Sequence, residues 1–584
     1  MAQKPETQAK SEVRKGMRID WDVPIAMDDG IVLRADVFCS VAEGGYPVLL
    51  SYGPYAKGLA FQEGYPSAWE RMTQQHPDVA AGSSNLYQNW EVVDPEKWVP
   101  HGYACVRVDS RGCGHSPGYV DPFSPRETLD LFACIEWAGT QPWSSGKVGL
   151  SGISYYAINQ WLVASLDPPH LAAICVWEGA ADWYRDMTRH GGILSTFFAN
   201  WYDMQVKTVR YGLGQRGPRS RATGDLVSGP ETLSEAELAA DHSDLGKEIR
   251  AHPLDDDYHR ARSADWSKVK VPFLSAANWG GQGLHPRGNF EGFVRAASTQ
   301  KWLEAHGLEH WTHFYTDYGR TLQKRFFDYF LKDEKNGWDQ QPRVLLQVRH
   351  PDRFEERAEG EWPLARTRWT KFYLDLAADE LVLEPPAQTS TRTFDAMGDG
   401  LTFLSRPFQA ETEITGPSAV QLFASSSTED ADIFVVLRVF TPDLREIVFQ
   451  GAIDPHTPIG QGWLRASHRK LDPALSLPWR PFHPHDERQP LRRNEVVELD
   501  IEIWPTSIVV PVDYRIGLTI RGKDYEYPVS GGKLSNFKNE LKGCGPFLHD
   551  DPSDRPQEIF GGRTTLHAGE DRQPYLLLPI VPPN

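Results

Sequence analysis

The stretch Gly149-Leu-Ser-Gly152-Ile-Ser154-Tyr155-Tyr156-Ala157 is the part of this 584-residue chain best suited to chemistry. Residues 147–150 read as an apolar strand that runs into a turn and then a further helix. A serine on such a turn is exposed at the strand tip and needs small neighbours, because its own backbone is strained. Gly152 supplies the small residue two positions before Ser154. Tyr156 stands two positions after, where a second glycine is usual, so the simple GxSxG pattern is broken. An ordinary glycine turn is the competing reading. The flanking strand and helix favour a nucleophile, and a serine so placed would attack an ester or amide carbonyl.

Other chemistries find less support. There is no HExxH, no paired CxxC and no glycine-rich Lys-Ser/Thr phosphate loop. The histidine-rich stretches near His306 and around His483 to His485 have no matching ligand spacing, so neither a metal nor a cofactor is expected. Lys+Arg 61 against Asp+Glu 79 gives a net charge of −18, which disfavours nucleic acid or an anionic membrane as partner. The N-terminus lacks the apolar core of a signal peptide, and no stretch approaches a membrane span. Cys39, Cys105, Cys113, Cys134, Cys175 and Cys544 lie far apart, as reduced thiols of a cytoplasmic protein would.

The elements that would position the serine follow from the patterning. Residues 31–38, 47–51, 103–108 and 147–150 read as strands, and 124–137 as a helix with Leu129, Phe132, Ala133 and Trp137 on one face. Strand–helix alternation of this kind predicts a largely parallel sheet covered on both faces. From 182 to 265 aromatics, glycines and charges mix, with a capping box at Ser234 and Glu237, and a helical cap is expected there. The alternation resumes at 269–276 and 301–305, followed by a helix over 322–331. Beyond residue 341 the pattern is all-β, with Val497, Leu499, Ile501 and Ile503 alternating with acids. The division is therefore a polar tail (1–16), a strand–helix core (17–181 and 266–340), a helical cap (182–265) and an all-β sandwich or jelly roll (341–584).

Several motifs resemble the cocaine-esterase / Xaa-Pro dipeptidyl-peptidase family of serine hydrolases. Gly152-Ile-Ser154-Tyr155, with Gln160-Trp161 on the next helix, is similar to its nucleophile segment. Asp109-Ser-Arg111-Gly112-Cys-Gly114-His-Ser116-Pro-Gly118 resembles its glycine-rich loop, and Met27-Asp-Asp29-Gly30-Ile-Val-Leu33-Arg-Ala-Asp36 its opening strand pair. Gly462-Trp-Leu464-Arg465-Ala-Ser467-His-Arg469 and Ser425-Ser-Ser-Thr-Glu-Asp430-Ala-Asp432 resemble its β-domain. The resemblance covers nearly the whole chain and implies an α/β fold in three parts, an α/β-hydrolase core (17–181 and 266–340), a helical cap inserted in it (182–265) and a C-terminal β jelly-roll domain (341–584).

It also implies roles. Tyr55, in Ser51-Tyr-Gly-Pro54-Tyr55, would donate its hydroxyl to an oxyanion hole completed by the backbone N–H of Tyr155. The base would lie in His306-Gly-Leu-Glu-His310-Trp-Thr-His313, with His310 matching the family spacing and His306 in reserve. The acid departs from the pattern: in Asn278-Trp279-Gly280-Gly281-Gln282, Gly281 occupies the position expected for Asp. Losing that carboxylate can cost around 10⁴ in rate. Glu178, at the end of a strand before the cap, is the substitute, with Asp182 and Asp317 as outsiders.

The resulting expectation is a serine hydrolase that forms an acyl-enzyme on Ser154, of carboxylesterase or acylase type. Its partner would be a small ester or amide, with homo-oligomerisation left open. The alternative is an Xaa-Pro dipeptidyl-peptidase, in which Asp182, Asp186 or Asp203 would bind the substrate amine. A rival of another class is a non-catalytic binding protein with a decayed triad, supported by Gly281 alone.

Overall fold

The structure, a computed structural model, describes residues 10–583. Part of the expected tail (1–9) lies outside the described residues. The remainder is not a tail, because Lys10–Arg14 (β1) pairs antiparallel with Met17–Ala26 (β2). These begin an eleven-stranded sheet continued by Val32–Ser40 (β3), Tyr46–Gly53 (β4), Ala104–Asp109 (β5), Ser144–Ile153 (β6) and Leu171–Trp177 (β7). It is completed by Phe273–Asn278 (β8), Lys301–His306 (β9), Val344–Arg349 (β10) and Phe354–Glu359 (β11). The spatial order is β1-β2-β3-β5-β4-β6-β7-β8-β9-β10-β11. Neighbours from β5 to β10 are parallel, and both flanks are antiparallel. The central strands are buried along almost their whole length, which is why they read as continuous apolar runs.

The helices that matter here are Pro125–Gly139 (α1), Tyr155–Ala164 (α2), Pro286–Arg295 (α3) and Asp317–Lys332 (α4). Ser124 caps α1 and Pro125 is its first residue, and of the expected apolar face Phe132, Ala133 and Trp137 pack partly against the core, while the fully buried face is a different one. Leu129 is 47% exposed, whereas Leu131, Cys134, Ile135 and Ala138 are buried beside Glu127 and Asp130. The two acids made that face look polar, yet both are satisfied inside. Arg111 grips Asp130 at 2.7 and 2.9 Å, and Glu127 accepts from the Phe123 N–H at 2.8 Å and from the Tyr155 hydroxyl.

The cap region holds only short helices, two π-helical turns (Trp183–Thr188 and Tyr202–Val206) and a small hairpin, with the capping box formed at Ser234 and Glu237. The all-β domain begins later than residue 341. β10 pairs parallel with β9, and β11 pairs with β10, so both belong to the hydrolase sheet. Val344, Leu346 and Val348 are buried there against Trp279, Phe290 and Trp362. Strands from Arg368–Asp375 onward form the second domain. In it Leu499, Ile501 and Ile503 face a core shared with Val420, Leu422, Val435 and Leu437. Among the described residues, no helix is long and apolar enough to cross a membrane.

Candidate active site

Ser154 sits where β6 ends and α2 begins, at the carboxyl edge of the parallel strands. Its backbone is left-handed (φ 57°, ψ −113°), a conformation costly for a side-chain-bearing residue. The turn is held by the Ile153 N–H on the Glu91 carbonyl at 3.0 Å and the Ser154 N–H on the Trp177 carbonyl at 3.2 Å. A Cβ on Gly152 would fall 2.3 Å from Cβ of Tyr156, so only glycine fits. The same packing explains the broken motif. The Tyr156 ring occupies space left by Gly53, where a Cβ would lie 2.6 Å from Cε1 of Tyr156. Small size has moved from the position after the serine to the neighbouring strand.

The group hydrogen-bonded to the Ser154 hydroxyl is His285, on which the sequence reading was silent. Its Nε2 lies 3.0 Å from Ser154 Oγ, and its Nδ1 is buried without a hydrogen-bond partner. Burial, reinforced by the neighbouring His310, lowers its pKa to about 3, so the ring is neutral. In the tautomer protonated at Nδ1, Nε2 accepts from the serine hydroxyl. The residue immediately precedes Pro286, which starts α3, in the same loop where an Asp was expected. That histidine–proline step beside the missing acid was the available signal.

His310 stacks on His285 with ring centroids 4.8 Å apart and planes 16° from parallel. Its Nδ1 is 2.7 Å from Glu178 Oε2 and its Nε2 is 2.8 Å from Glu91 Oε1. Burial disfavours charge on His310, but the two carboxylates raise its pKa to about 10. His306 is fixed in the same way, 3.1 Å from Glu178 Oε1 and 2.6 Å from Glu304 Oε2. Burial opposes its charge too, and the Glu304 and Glu178 carboxylates raise it to about 9. Burial alone would raise Glu178, yet His310 and His306 hold it well below the usual carboxylate range. Glu91 is pushed up to about 7 by burial, against the pull of His310. Carboxylates and imidazoles thus alternate from Glu304 to Glu91.

Glu178 (φ 49°) and Glu91 (φ 61°) share the left-handed strain of Ser154. Strained residues of this kind cluster at functional sites. Glu91 was also missed; a lone acid among Trp90, Val92 and Val93 was its only mark in the sequence. Gly281 lies beside Pro286, where a Cβ would come 3.0 Å from Cδ of that proline. Asp182 and Asp186 are turned into ion pairs with Arg185 and Arg287, and Asp317 pairs with Arg320 at an exposed helix start.

Tyr55 accepts from Trp201 Nε1 at 2.9 Å, which leaves its own hydroxyl proton free to donate. Burial keeps its pKa well above the ordinary value, so the group stays a phenol. The Tyr155 N–H is the first of α2 and has no carbonyl within the helix to bond. The cleft over Ser154 is aromatic, with Tyr55, Phe123, Phe198 and Trp201 from core and cap, and Phe547 from the β-domain. The β-domain also pins both histidine loops, through the His310 N–H on the Ala452 carbonyl (2.9 Å) and the Ala452 N–H on the Gly280 carbonyl (3.0 Å). A Cβ on Gly280 would sit 2.3 Å from the Gly451 Cα, hence glycine there.

Donor atoms of Glu178, His285 and His310 lie within 4.8 Å of one another, the spacing a metal would require. However, nearly parallel imidazoles direct their in-plane lone pairs side by side, and both nitrogens of His310 already face carboxylates. This is a stack rather than a converging cage.

A strained serine at the tip of a parallel strand, with an imidazole on its hydroxyl, defines a serine hydrolase of the α/β-hydrolase fold. Residues 29–315 match the model for the X-Pro dipeptidyl-peptidase (S15 family), and 336–576 match the X-Pro dipeptidyl-peptidase C-terminal non-catalytic domain. The crystal structure of a CocE/NonD family hydrolase from Staphylococcus aureus superposes with a TM-score of 0.82 at 30% identity, over 97% of this chain and 94% of that one. The cocaine esterase of Rhodococcus sp. (strain MB1 Bresler) is 23% identical, over 96% of this chain and 98% of its own. A putative Xaa-Pro dipeptidyl-peptidase of Bacillus anthracis is 20% identical, over 85% and 81%. The chain belongs to this cocaine-esterase / Xaa-Pro dipeptidyl-peptidase (CocE/NonD) family of serine hydrolases, which act on ester or amide bonds.

Proposed function

We propose that Ser154 is the nucleophile of a two-step acyl transfer and that His285 receives its proton. The observation that carries this reading is the 3.0 Å contact between Ser154 Oγ and His285 Nε2 at a strained elbow. His310, the base expected from the family spacing, is a cation gripped on both sides, and an imidazolium cannot accept a proton. It acts instead with Glu178 as the charged support behind His285. His306 is a further structural member of that support. The Tyr55 hydroxyl and the Tyr155 N–H would hold the oxyanion of the tetrahedral intermediate. Alcohol or amine leaves with the proton from His285, and water then cleaves the acyl-enzyme.

We assign the activity to a carboxylesterase or acylase rather than a dipeptidyl-peptidase. The aromatic cleft favours an aryl or compact apolar group on the substrate. A dipeptidyl-peptidase needs a carboxylate for the substrate amine, yet Asp182, Asp186 and Asp203 are engaged by Arg185, Arg287 and Lys207. Six buried free thiols accord with a cytoplasmic location. A fluorophosphonate should label Ser154 stoichiometrically, with no labelling in Ser154→Ala and slowed labelling in His285→Gln. Comparison of p-nitrophenyl esters with Xaa-Pro anilides should favour the esters. Labelling at another residue would overturn the nucleophile assignment, and preference for the anilides would overturn the substrate class.

A further inference from the structure

The stacked rings pose a charge problem. If His285 takes the serine proton while His310 keeps its own, two imidazolium rings face each other with centroids 4.8 Å apart in a buried site. Like charges at that spacing and burial repel strongly. The far side of His310 offers an outlet. Its Nε2 lies 2.8 Å from Glu91 Oε1, while the other oxygen of Glu91 is buried without a partner. An unsolvated carboxylate with one bare oxygen is readily neutralised by a proton. Glu91 faces His310, Glu178 beyond it, and the hydroxyl-bearing rings of Tyr55, Tyr65, Tyr156 and Tyr315. Its pKa, raised to about 7, matches a group that changes protonation near neutrality.

We propose that Glu91 and His310 form a second proton-transfer pair, coupled through the ring stack to the Ser154–His285 pair. As the Ser154 O–H bond breaks and a proton joins His285 Nε2, the His310 Nε2–H bond breaks and that proton joins Glu91 Oε1. The ring pair then holds one positive charge throughout. When the leaving group departs with the proton from His285, Glu91 returns its proton to His310. No outside oxidant, reductant or co-reactant enters the balance. Glu91 acts through His310 and is a positioning residue for the charge state of His285. The Glu178 carboxylate holds His310 in register from the opposite nitrogen.

This inference rests on the Ser154–His285 reading but fails separately from it. In wild-type enzyme, the proton inventory of kcat in H2O/D2O mixtures should bow downward, as two protons in flight require. Glu91→Gln keeps a hydrogen-bond acceptor for His310 but cannot take its proton, so kcat should fall about 100-fold with KM within twofold. Adding His310→Asn removes the proton donor that Glu91 serves, so the double variant should lose no more than His310→Asn alone. A linear proton inventory, an unchanged kcat in Glu91→Gln, or a double variant whose loss is the product of the two single losses would overturn the relay. None of those results would affect phosphonate labelling of Ser154, which tests the serine reading by itself.

Discussion

Two sets of buried histidines in this molecule are shifted in opposite directions, His306 and His310 upward and His190, His468 and His485 downward. In the hydrolase core, His306 and His310 alternate with Glu304, Glu178 and Glu91, and their pKa values rise to about 9 and about 10. Where the cap meets the β-domain, His190 Nδ1 lies 2.7 Å from His549 Nε2, and His468 Nδ1 lies 3.0 Å from His485 Nδ1. There burial dominates and neighbouring cations add to it, lowering His190 and His468 to about 3 and His485 well below the ordinary value. Burial is the same in both places. Interleaved carboxylates decide whether a buried ring is a cation or a neutral hydrogen-bonding wedge. His285 lies at the boundary between the two behaviours, neutral beside a charged chain, as its proposed role of proton acceptor requires.

The largest expected effect comes from removing the proposed nucleophile. Ser154→Ala should lower kcat by something on the order of 10⁶, measured on a p-nitrophenyl ester, with the fold intact. Next is Glu178→Gln, which takes away the carboxylate shared by His306 and His310. Turnover should fall by about 10⁴, and because it leaves buried cations without their partner, chemical denaturation should show a loss of about 3 kcal/mol. Full activity in that variant would remove Glu178 from the site. Tyr55→Phe deletes one proposed oxyanion donor and should cost about 100-fold in kcat with little change in KM.

The smallest effects separate the two clusters by pH. His306 and His310 have folded values above the unfolded one, so their stabilisation is complete below pH about 6.5. It is lost as pH rises through about 9 to about 10. His190 and His468 have folded values below the unfolded one, so stability is full above pH about 6.5. It falls as pH drops towards about 3. Each such group contributes up to about 1.4 kcal/mol per pH unit within its window. Melting temperatures at pH 5 and pH 7.5 should show a smaller acid loss in His190→Gln than in wild type. An equal loss in both would deny the interface cluster this role.

The same contrast explains what the sequence made legible. Ser154 announced itself because an elbow is local, built from residues adjacent in the chain. The sheet was legible for a related reason, since buried parallel strands are continuous apolar runs. Glu178 could be singled out only because it ends such a strand. His285 and Glu91 were not legible as site residues, since their meaning comes from loops meeting across the sheet edge and from a β-domain contact at Ala452. The fully buried face of α1 was not legible for the converse reason. Glu127 and Asp130 look polar in isolation, but Glu127 accepts from the Tyr155 hydroxyl and Asp130 is paired with Arg111, both partners distant in sequence. Likewise, β10 and β11 read as the start of the all-β domain because the pairing of β10 with β9, and of β11 with β10, leaves no mark in composition.

The most direct test is to capture the acyl-enzyme. Mixing the protein with excess p-nitrophenyl acetate on a millisecond scale should release one equivalent of nitrophenolate in a burst. Acid quenching and peptide mass analysis should then find the acetyl group on Ser154. A release without a burst, or an acetyl group on any other residue, would contradict the account.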